Sequence, residues 1–257
     1  MNNFKIIFKT CLLALSMFVV SCSKTEMDEL NDTTTANQYQ QSVADDDISI
    51  VGTDLFLGEY LEEISNQIRT YKKINPTVTD EELDVYANKI INNPFSSSIG
   101  SKSRAAYTDM DAYISGRLNS REQSLYNSNK AKALLCLANG KLALDYAASN
   151  YINSVLHNGN GDAFRHTLWN FGMTVDVGSS FAKTWSDAHE YGSSNQPAIE
   201  QSMDLFNNGV GIQLGRDNPN TFFHSTFISK SKEKVSGGRC YMIFNNRLYW
   251  STSSGQK

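Results

Sequence analysis

Between Gly159 and Gly215 the chain holds three helix-length segments separated by glycine-rich breaks. Each carries a line of polar residues set among aromatic and aliphatic ones, which is how a buried polar site looks in a sequence. At about 100° per residue, the segment Asp162 to Val177 places Phe164, Leu168, Phe171 and Val175 on one side, an ordinary core face. Asp162, Arg165, His166 and Asn170 fall opposite, with Trp169 and Met173 among them. A solvated helix face rarely mixes charges with Trp and Met. This side therefore predicts a second buried surface, whose polar groups must find partners because an unpaired buried charge is very costly.

The segment Ser179 to Tyr191 puts Phe181, Trp185 and Ala188 on its core face and His189 at the edge of that face. Lys183, Asp187 and Glu190 project from the other side. Pro197 suits the first turn of a third helix, and Glu200, Asp204, Asn207, Asn208, Gly211 and Gly215 then run down one stripe. Glycine costs a helix interior about 1 kcal/mol relative to alanine, so Gly211 and Gly215 predict that another backbone or a ligand comes close.

The combination D-A-F-R-H-x-x-W-N (Asp162 to Asn170), D-A-H-E (Asp187 to Glu190) and M-D-L-x-N-N-x-x-G (Met203 to Gly211) resembles an uncharacterised bacterial domain-of-unknown-function family. That family occurs in secreted, toxin-associated and lipoprotein contexts. The resemblance is strongest over residues 118–250. Where its members commonly carry a histidine between the Leu and the Asn pair, this chain has Phe206, which weakens any scheme needing a third histidine. The resemblance implies that the polar positions belong to one module, and it implies no reaction.

The first 22 residues read as an address. Lys5 and Lys9 flank and precede an apolar run, Cys11 to Val20, too short to span a bilayer. Small or apolar residues before Cys22 resemble a lipobox, so cleavage before Cys22 and acylation of its sulfur are expected, in preference to a plain secretory signal with an incidental cysteine. Ser23 departs from the aspartate that signals inner-membrane retention, and Glu26, Asp28 and Glu29 resemble the surface-export signal of Bacteroidetes lipoproteins. Expected, then, is an outer-membrane lipoprotein, surface-exposed if that acidic signal acts, with residues 22–50 as an acidic disordered tether poor in apolar surface. Without the two signal lysines the chain carries 21 basic and 27 acidic residues; without the tether's one lysine and seven acidic residues the body is balanced, 20 against 20. That balance leaves no basic excess to hold a nucleic acid backbone.

The remaining chain predicts a mainly α fold, a multi-helix bundle-like domain of about six to eight helices with a small C-terminal β-hairpin. Asp54 is placed to cap a helix running to Lys73, and Thr79 with Glu82 has capping-box spacing for a second that ends before Pro94. Ser- and Gly-rich residues 94–103 mark a loop or boundary. Residues 51–103 thus read as a helical N-terminal region, either a subdomain or a brace, and residues 104–257 as the main helical domain. Ala131 to Tyr151 is an Ala/Leu-rich core helix, one further helix fits between Pro219 and Lys234, and Gly237-Gly238 breaks it. Arg239 to Phe244 and Arg247 to Ser251 are strand-like around Asn245-Asn246, which can adopt the positive φ of a tight turn.

Several chemistries lack their signatures. The chain has no G-x-S-x-G, no Walker A or dinucleotide loop, and no CxxC or Cys/His spacing for zinc. Cys136 and Cys240 fit a bridge or two buried thiols equally well. His157 and His224 are most simply structural. His166 is read as the proton-transfer residue of a hydrolase-like centre, with Asp187 or Glu190 orienting it and His189 near the site. Arg165 and Asn170 hold an anionic or carbonyl oxygen in that reading, while Glu200, Asp204, Asn207 and Asn208 line the opposite wall. The sequence requires no cofactor. A divalent metal on His166, Asp204 and one of His189 and Glu190 is the second catalytic form, although no H-x-x-x-H or E-x-x-H pair starts such a site. The non-catalytic alternative is a surface scaffold in which the charged residues form a buried network joining helices. The partners expected are the membrane, through Cys22, and an envelope or extracellular substrate or protein. Replacing Cys22 with Ala should release the protein from membrane fractions and abolish its labelling by fatty acid; persistence of both would show that the anchor is misread.

Overall fold

The computed structural model describes residues 55–92, 109–221 and 224–252; the signal segment, the tether, Asp54, Pro94 and the 94–103 loop lie outside these. Nine α-helices and one antiparallel hairpin make up the described residues. In chain order the helices are α1 (Leu55–Ile74), α2 (Asp80–Ile91), α3 (Met110–Ser115), α4 (Ser120–Ser128) and α5 (Lys130–Asn150). A 3-10 turn (Asn153–Val155) leads to α6 (Asn160–Val177), α7 (Ser179–Glu190), α8 (Ala198–Asp217) and α9 (His224–Ser236). Strands β1 (Tyr241–Phe244) and β2 (Arg247–Trp250) close the fold. The helix count exceeds the sequence expectation because Asp109 and Asn119 each cap a separate short helix ahead of α5.

Local signals set most of these boundaries. Thr79 and Glu82 form a reciprocal capping box at the start of α2, and Asn119 with Glu122 forms another at α4. Gly178, at φ 84°, is the single residue between α6 and α7, a conformation open to glycine at no steric cost. Asn245 and Asn246 take φ of 48° and 56°, the left-handed pair a tight hairpin turn requires. That turn sets the register, with Tyr241 opposite Trp250 and Phe244 opposite Arg247.

Helix α6 is the axis of the molecule. All fifteen residues from Asn160 to Thr174 are buried, and α5, α7, α8, α9 and β1 pack around it. One continuous apolar core runs from Leu57, Leu61 and Ile64 of α1 through Leu134 and Leu135 of α5 to Phe164 and Phe171 of α6 and Phe227 of α9. The N-terminal helices therefore share the core of the main domain. Arg69 of α1 reaches α6 through a two-pronged contact with Asp176, at 2.7 and 3.1 Å, and Asn139 of α5 donates to the same carboxylate at 2.7 Å. The hairpin is pinned to the starts and middles of the central helices. Ile243 N donates to Asn158 O at 2.7 Å, and Asn160 Nδ2 donates to Thr252 O at 2.7 Å. The rings of Phe206, Tyr241 and Trp250 pack together there, two pairs tilted and the Phe206–Trp250 pair edge-on.

Cys136 and Cys240 are free and buried, which settles their pairing. Burial pushes the Cys240 thiol up to about 11 and the Cys136 thiol well above its ordinary value, so neither is a ready nucleophile. No helix among the described residues is long and apolar enough to cross a membrane.

The two glycines of the α8 stripe meet a helix. A Cβ on Gly211 would lie 2.3 Å from Thr167 O and 2.8 Å from Asn170 Cβ, and one on Gly215 would lie 2.4 Å from Thr174 side-chain carbons. α8 thus crosses α6 at backbone contact. Gly209, on the exposed side of the same helix, has nothing within 4 Å of such a Cβ. Gly211→Ala should lower stability by about 1–3 kcal/mol, the range of forced overpacking, whereas Gly209→Ala should raise it by about 0.5–1 kcal/mol. Chemical denaturation of the two variants beside the wild type measures both, and equal effects would show that the glycines are not set by helix contact.

Candidate functional site

Because Gly211 and Gly215 let α8 touch α6, the residues one and two turns earlier on the same stripe, Asn208 and Asp204, arrive beside His166. The C-terminal turn of α7 supplies Glu190 to the same place. All four are enclosed: His166 and Glu190 are 0% exposed, and Asp204 and Asn208 are 2% exposed.

Glu190 Oε1 accepts a hydrogen bond from Asn208 Nδ2 at 2.7 Å. A carboxylate can only accept, so this contact fixes which end of the Asn208 amide is nitrogen. Asn208 Oδ1 must then face the other way, where it lies 3.0 Å from His166 Nδ1 and 2.6 Å from Asn170 Nδ2. It accepts from both. His166 consequently carries a proton on Nδ1, and its Nε2 is the atom directed into the rest of the cluster. There Nε2 lies 2.7 Å from Arg165 Nη2, 3.1 Å from Asp204 Oδ1 and 3.5 Å from Asp162 Oδ1. Arg165 Nη2 also donates to Asp162 Oδ1 at 2.5 Å. Three carboxyl groups, one guanidinium and one imidazole thus converge in a volume withdrawn from water, where each contact is electrostatically stronger than at the surface.

Two loops close the cluster. Asn158, at φ 62°, donates its backbone N–H to Asp162 Oδ2 at 2.6 Å. On the other side the half-buried Gln196, in the loop between α7 and α8, donates from Nε2 to Asp204 Oδ2 at 2.7 Å and to Glu190 Oε2 at 3.2 Å. Gln201 Nε2 bonds the Glu190 carbonyl at 3.0 Å and ties the start of α8 to the end of α7.

The structure brings together Arg165, His166, Asn170, Glu190, Asp204 and Asn208. Four other expected site residues stand elsewhere. Asp187 pairs with Lys183 at 2.6 Å on the outer face of α7. It separates from Glu190 because the buried arc of α7 widens in its last turn, where Ser186 and Glu190, four apart, are buried together. His189 turns to α4, with Nδ1 2.8 Å from Glu122 Oε1 and its ring edge-on to Trp169 at 5.2 Å. Asn207 holds the hairpin: Tyr241 N donates to its Oδ1 at 2.8 Å and its Nδ2 donates to Tyr241 O at 3.0 Å. Glu200 accepts from Asn158 Nδ2 at 2.7 Å and lies 3.5 Å from His157 Nε2, on the loop that flanks the cluster. Asn170 spends its amide donors on Asn208 Oδ1 and on the His166 carbonyl, at 3.1 Å, so it orients groups of the site.

Asp162 and Gln196 are additional members. Asp162 had a sequence signal, since Asp and His at i and i+4 share one helix face. Gln196 had none, because its placement depends on how the loop folds back over Glu190 and Asp204.

Residues 123–239 match the family model described as a domain of unknown function, DUF6973. The match begins in α4 and ends at Arg239, so it contains the whole cluster and leaves α1, α2 and the hairpin outside. No curated protein and no solved structure matches the chain.

The orienting chain predicts a specific asymmetry. Asn208→Asp places a second carboxylate against Glu190, where Coulomb repulsion replaces a hydrogen bond, and should cost about 3–5 kcal/mol. Asn170→Ala removes one neutral donor from Asn208 Oδ1 and should cost about 1–3 kcal/mol, with a small cavity. Thermal and urea unfolding of both would check the order; a reversed order would show that Asn208 is not the residue holding the imidazole.

Proposed function

We propose that this chain is an outer-membrane lipoprotein whose helical domain carries a hydrolytic centre at His166 and acts on an envelope or extracellular substrate. One observation carries the reading: Glu190 and Asn208 hold His166 Nδ1, so that Nε2 is directed between Asp162 and Asp204. A histidine braced through one nitrogen by an amide–carboxylate pair keeps a fixed tautomer and orientation, which proton transfer needs at the other nitrogen. In this reading Arg165 Nη2 gives up its 2.7 Å contact with Nε2 when substrate binds. Nε2 then takes a proton from a water as that water attacks the scissile carbonyl or phosphoryl group, and returns it to the leaving group. Arg165 stabilises the negative charge that develops on the attacked centre. Substrate enters on the side of Gln196, whose half-buried side chain must leave Asp204 and Glu190 to admit it.

The scaffold reading is favoured by a different observation: His166 and Glu190 are 0% exposed, and the cluster's polar groups bond one another. Burying three carboxyl groups beside a single guanidinium is a costly way to join helices, since apolar residues of similar volume often serve as well or better. That cost is why the hydrolytic reading is preferred.

Glu190→Gln separates the two. A glutamine oxygen can still accept from Asn208 Nδ2, so folding should persist with a loss of about 1–2 kcal/mol. Hydrolysis of a panel of ester, amide, glycoside and phosphodiester substrates from the envelope should fall at least tenfold, and further in His166→Ala. Wild-type protein that hydrolyses none of the panel, with both variants changing only the unfolding midpoint, would leave the scaffold reading standing.

A further inference from the structure

We propose that Asp162, His166 and Asp204 form a binding site for one divalent transition cation, held by His166 Nε2 and one oxygen of each carboxylate. The proposal deepens the hydrolytic reading by changing what Nε2 holds, from a proton to a metal ion. It also stands without catalysis, because a cation can be held in a domain that hydrolyses nothing.

The first argument is geometric. The three ligand atoms lie within 4.8 Å of one another and all three residues are buried. Metal bonds of about 2.0–2.1 Å in a tetrahedral site separate neighbouring ligand atoms by about 3.3–3.4 Å. His166 Nε2 lies 3.1 Å from Asp204 Oδ1 and 3.5 Å from Asp162 Oδ1, on either side of that value. Asp162 and His166 come from one face of α6, four residues apart, and Asp204 comes from α8, whose approach is fixed by the glycine contact. The site is therefore built on helices, with little freedom to adjust.

The second argument is the orientation of the imidazole, which is set outside the triad. Glu190 fixes Asn208, and Asn208 fixes the proton on Nδ1. Metal-ligating histidines almost always donate their other ring N–H to a carboxylate, a carbonyl or water, and that donation sets tautomer and basicity. Glu190 thus acts behind Asn208, on the side of the ring away from the three ligand atoms.

The third argument is that no protonation state of Nε2 suits all its neighbours. A proton there serves the Asp204 oxygen at 3.1 Å but sets one N–H against the Arg165 N–H at 2.7 Å. A bare electron pair serves Arg165 but faces the Asp204 oxygen. A cation between Nε2, Asp162 Oδ1 and Asp204 Oδ1 serves all three acceptors once Arg165 Nη2, which donates to Asp162 Oδ1 at 2.5 Å and lies 2.7 Å from Nε2, moves aside. Charge agrees: three carboxylates are neutralised by one guanidinium and one divalent cation, with His166 neutral. An imidazole with two carboxylates is a donor set suited to Zn²⁺ or Mn²⁺. A cation so held lowers the pKa of a bound water toward neutrality, which gives the hydrolytic centre its nucleophile.

The test uses the full chain, stripped with a chelator and titrated with Zn²⁺, Mn²⁺ or Co²⁺ alone. Expected are one ion per chain by elemental analysis, a rise in unfolding midpoint on reloading, and a visible Co²⁺ absorption band. Asp204→Asn and Asp162→Asn keep the shape of the site and should each weaken binding at least tenfold. His166→Ala should abolish it, and Asn208→Ala should weaken it by about 10–100-fold through lost orientation. If His166→Ala does not fold, the two Asp→Asn variants decide, with near-UV circular dichroism confirming their packing. Folded wild-type protein with no stoichiometric ion and no shift in midpoint overturns the proposal, as does binding that survives both Asp→Asn changes. Hydrolysis that persists in chelator overturns it while keeping the hydrolytic reading. Stoichiometric binding with no hydrolysis supports the cation site and removes that reading.

Discussion

The contact between α6 and α8 is the constraint on which the rest depends. Helices whose facing positions carry side chains pack with axes 8–10 Å apart. Gly211 and Gly215 remove two side chains on one face, so that the backbone of α8 comes to rest on Thr167 O and Phe171 O of α6. Gly172 does the same on another side of α6, where Asn139 of α5 fills the space a Cβ would take. At that separation the short side chains of Asp204 and Asn208 reach His166 directly. With ordinary side chains at 211 and 215 the two helices would stand apart, and the polar residues between them would need water or longer arms.

Bringing such groups together underwater-free has an energetic consequence that shapes the whole neighbourhood. Buried polar groups are costly unless bonded, and most of those here are bonded through chains that run outward in successive layers. Asn208 joins His166 to Glu190, Gln196 joins Glu190 to Asp204, and Asn158 joins Asp162 to Glu200. Asn158 O then receives Ile243 of β1, and Asn207, adjacent to Asn208 on α8, holds Tyr241 of the same strand. A two-stranded hairpin is marginal alone. Here its strand edge is bonded to the loop and the helix that enclose the cluster, so hairpin and cluster support each other.

Opposite this polar side, α6 meets an ordinary apolar core. Trp169 shows how the two are kept apart: its Nε1 donates to Cys136 O at 3.0 Å, while its ring stands between His166 and the His189–Glu122 pair. His189 and His166 are thus separate sites divided by an indole. Arg69, Asp176 and Asn139 fasten the N-terminal helix across the far end of α6, which makes residues 55–92 part of one packed body with the central helices.

The sequence by itself determined the helical class, the Thr79–Glu82 cap, the end of α9 at Gly237-Gly238 and the Asn245-Asn246 turn, because each rests on residues within one or two turns of chain. It also determined that α6 is polar on a buried side, since Trp169 and Met173 share that side with Arg165 and His166. Which polar residues meet was decided only by tertiary structure. Asp187 and Glu190 are 60° apart on one helix, and nothing local distinguishes the one that faces solvent from the one that faces α8. Asn207 and Asn208 are neighbours, yet one holds the hairpin and the other His166. The glycines announced a close approach without naming its partner, and Gln196 enters through the fold of a loop. Helical periodicity assigns residues to faces; the depth at which a second helix crosses assigns them to partners, and that depth is set by contacts distant in the chain.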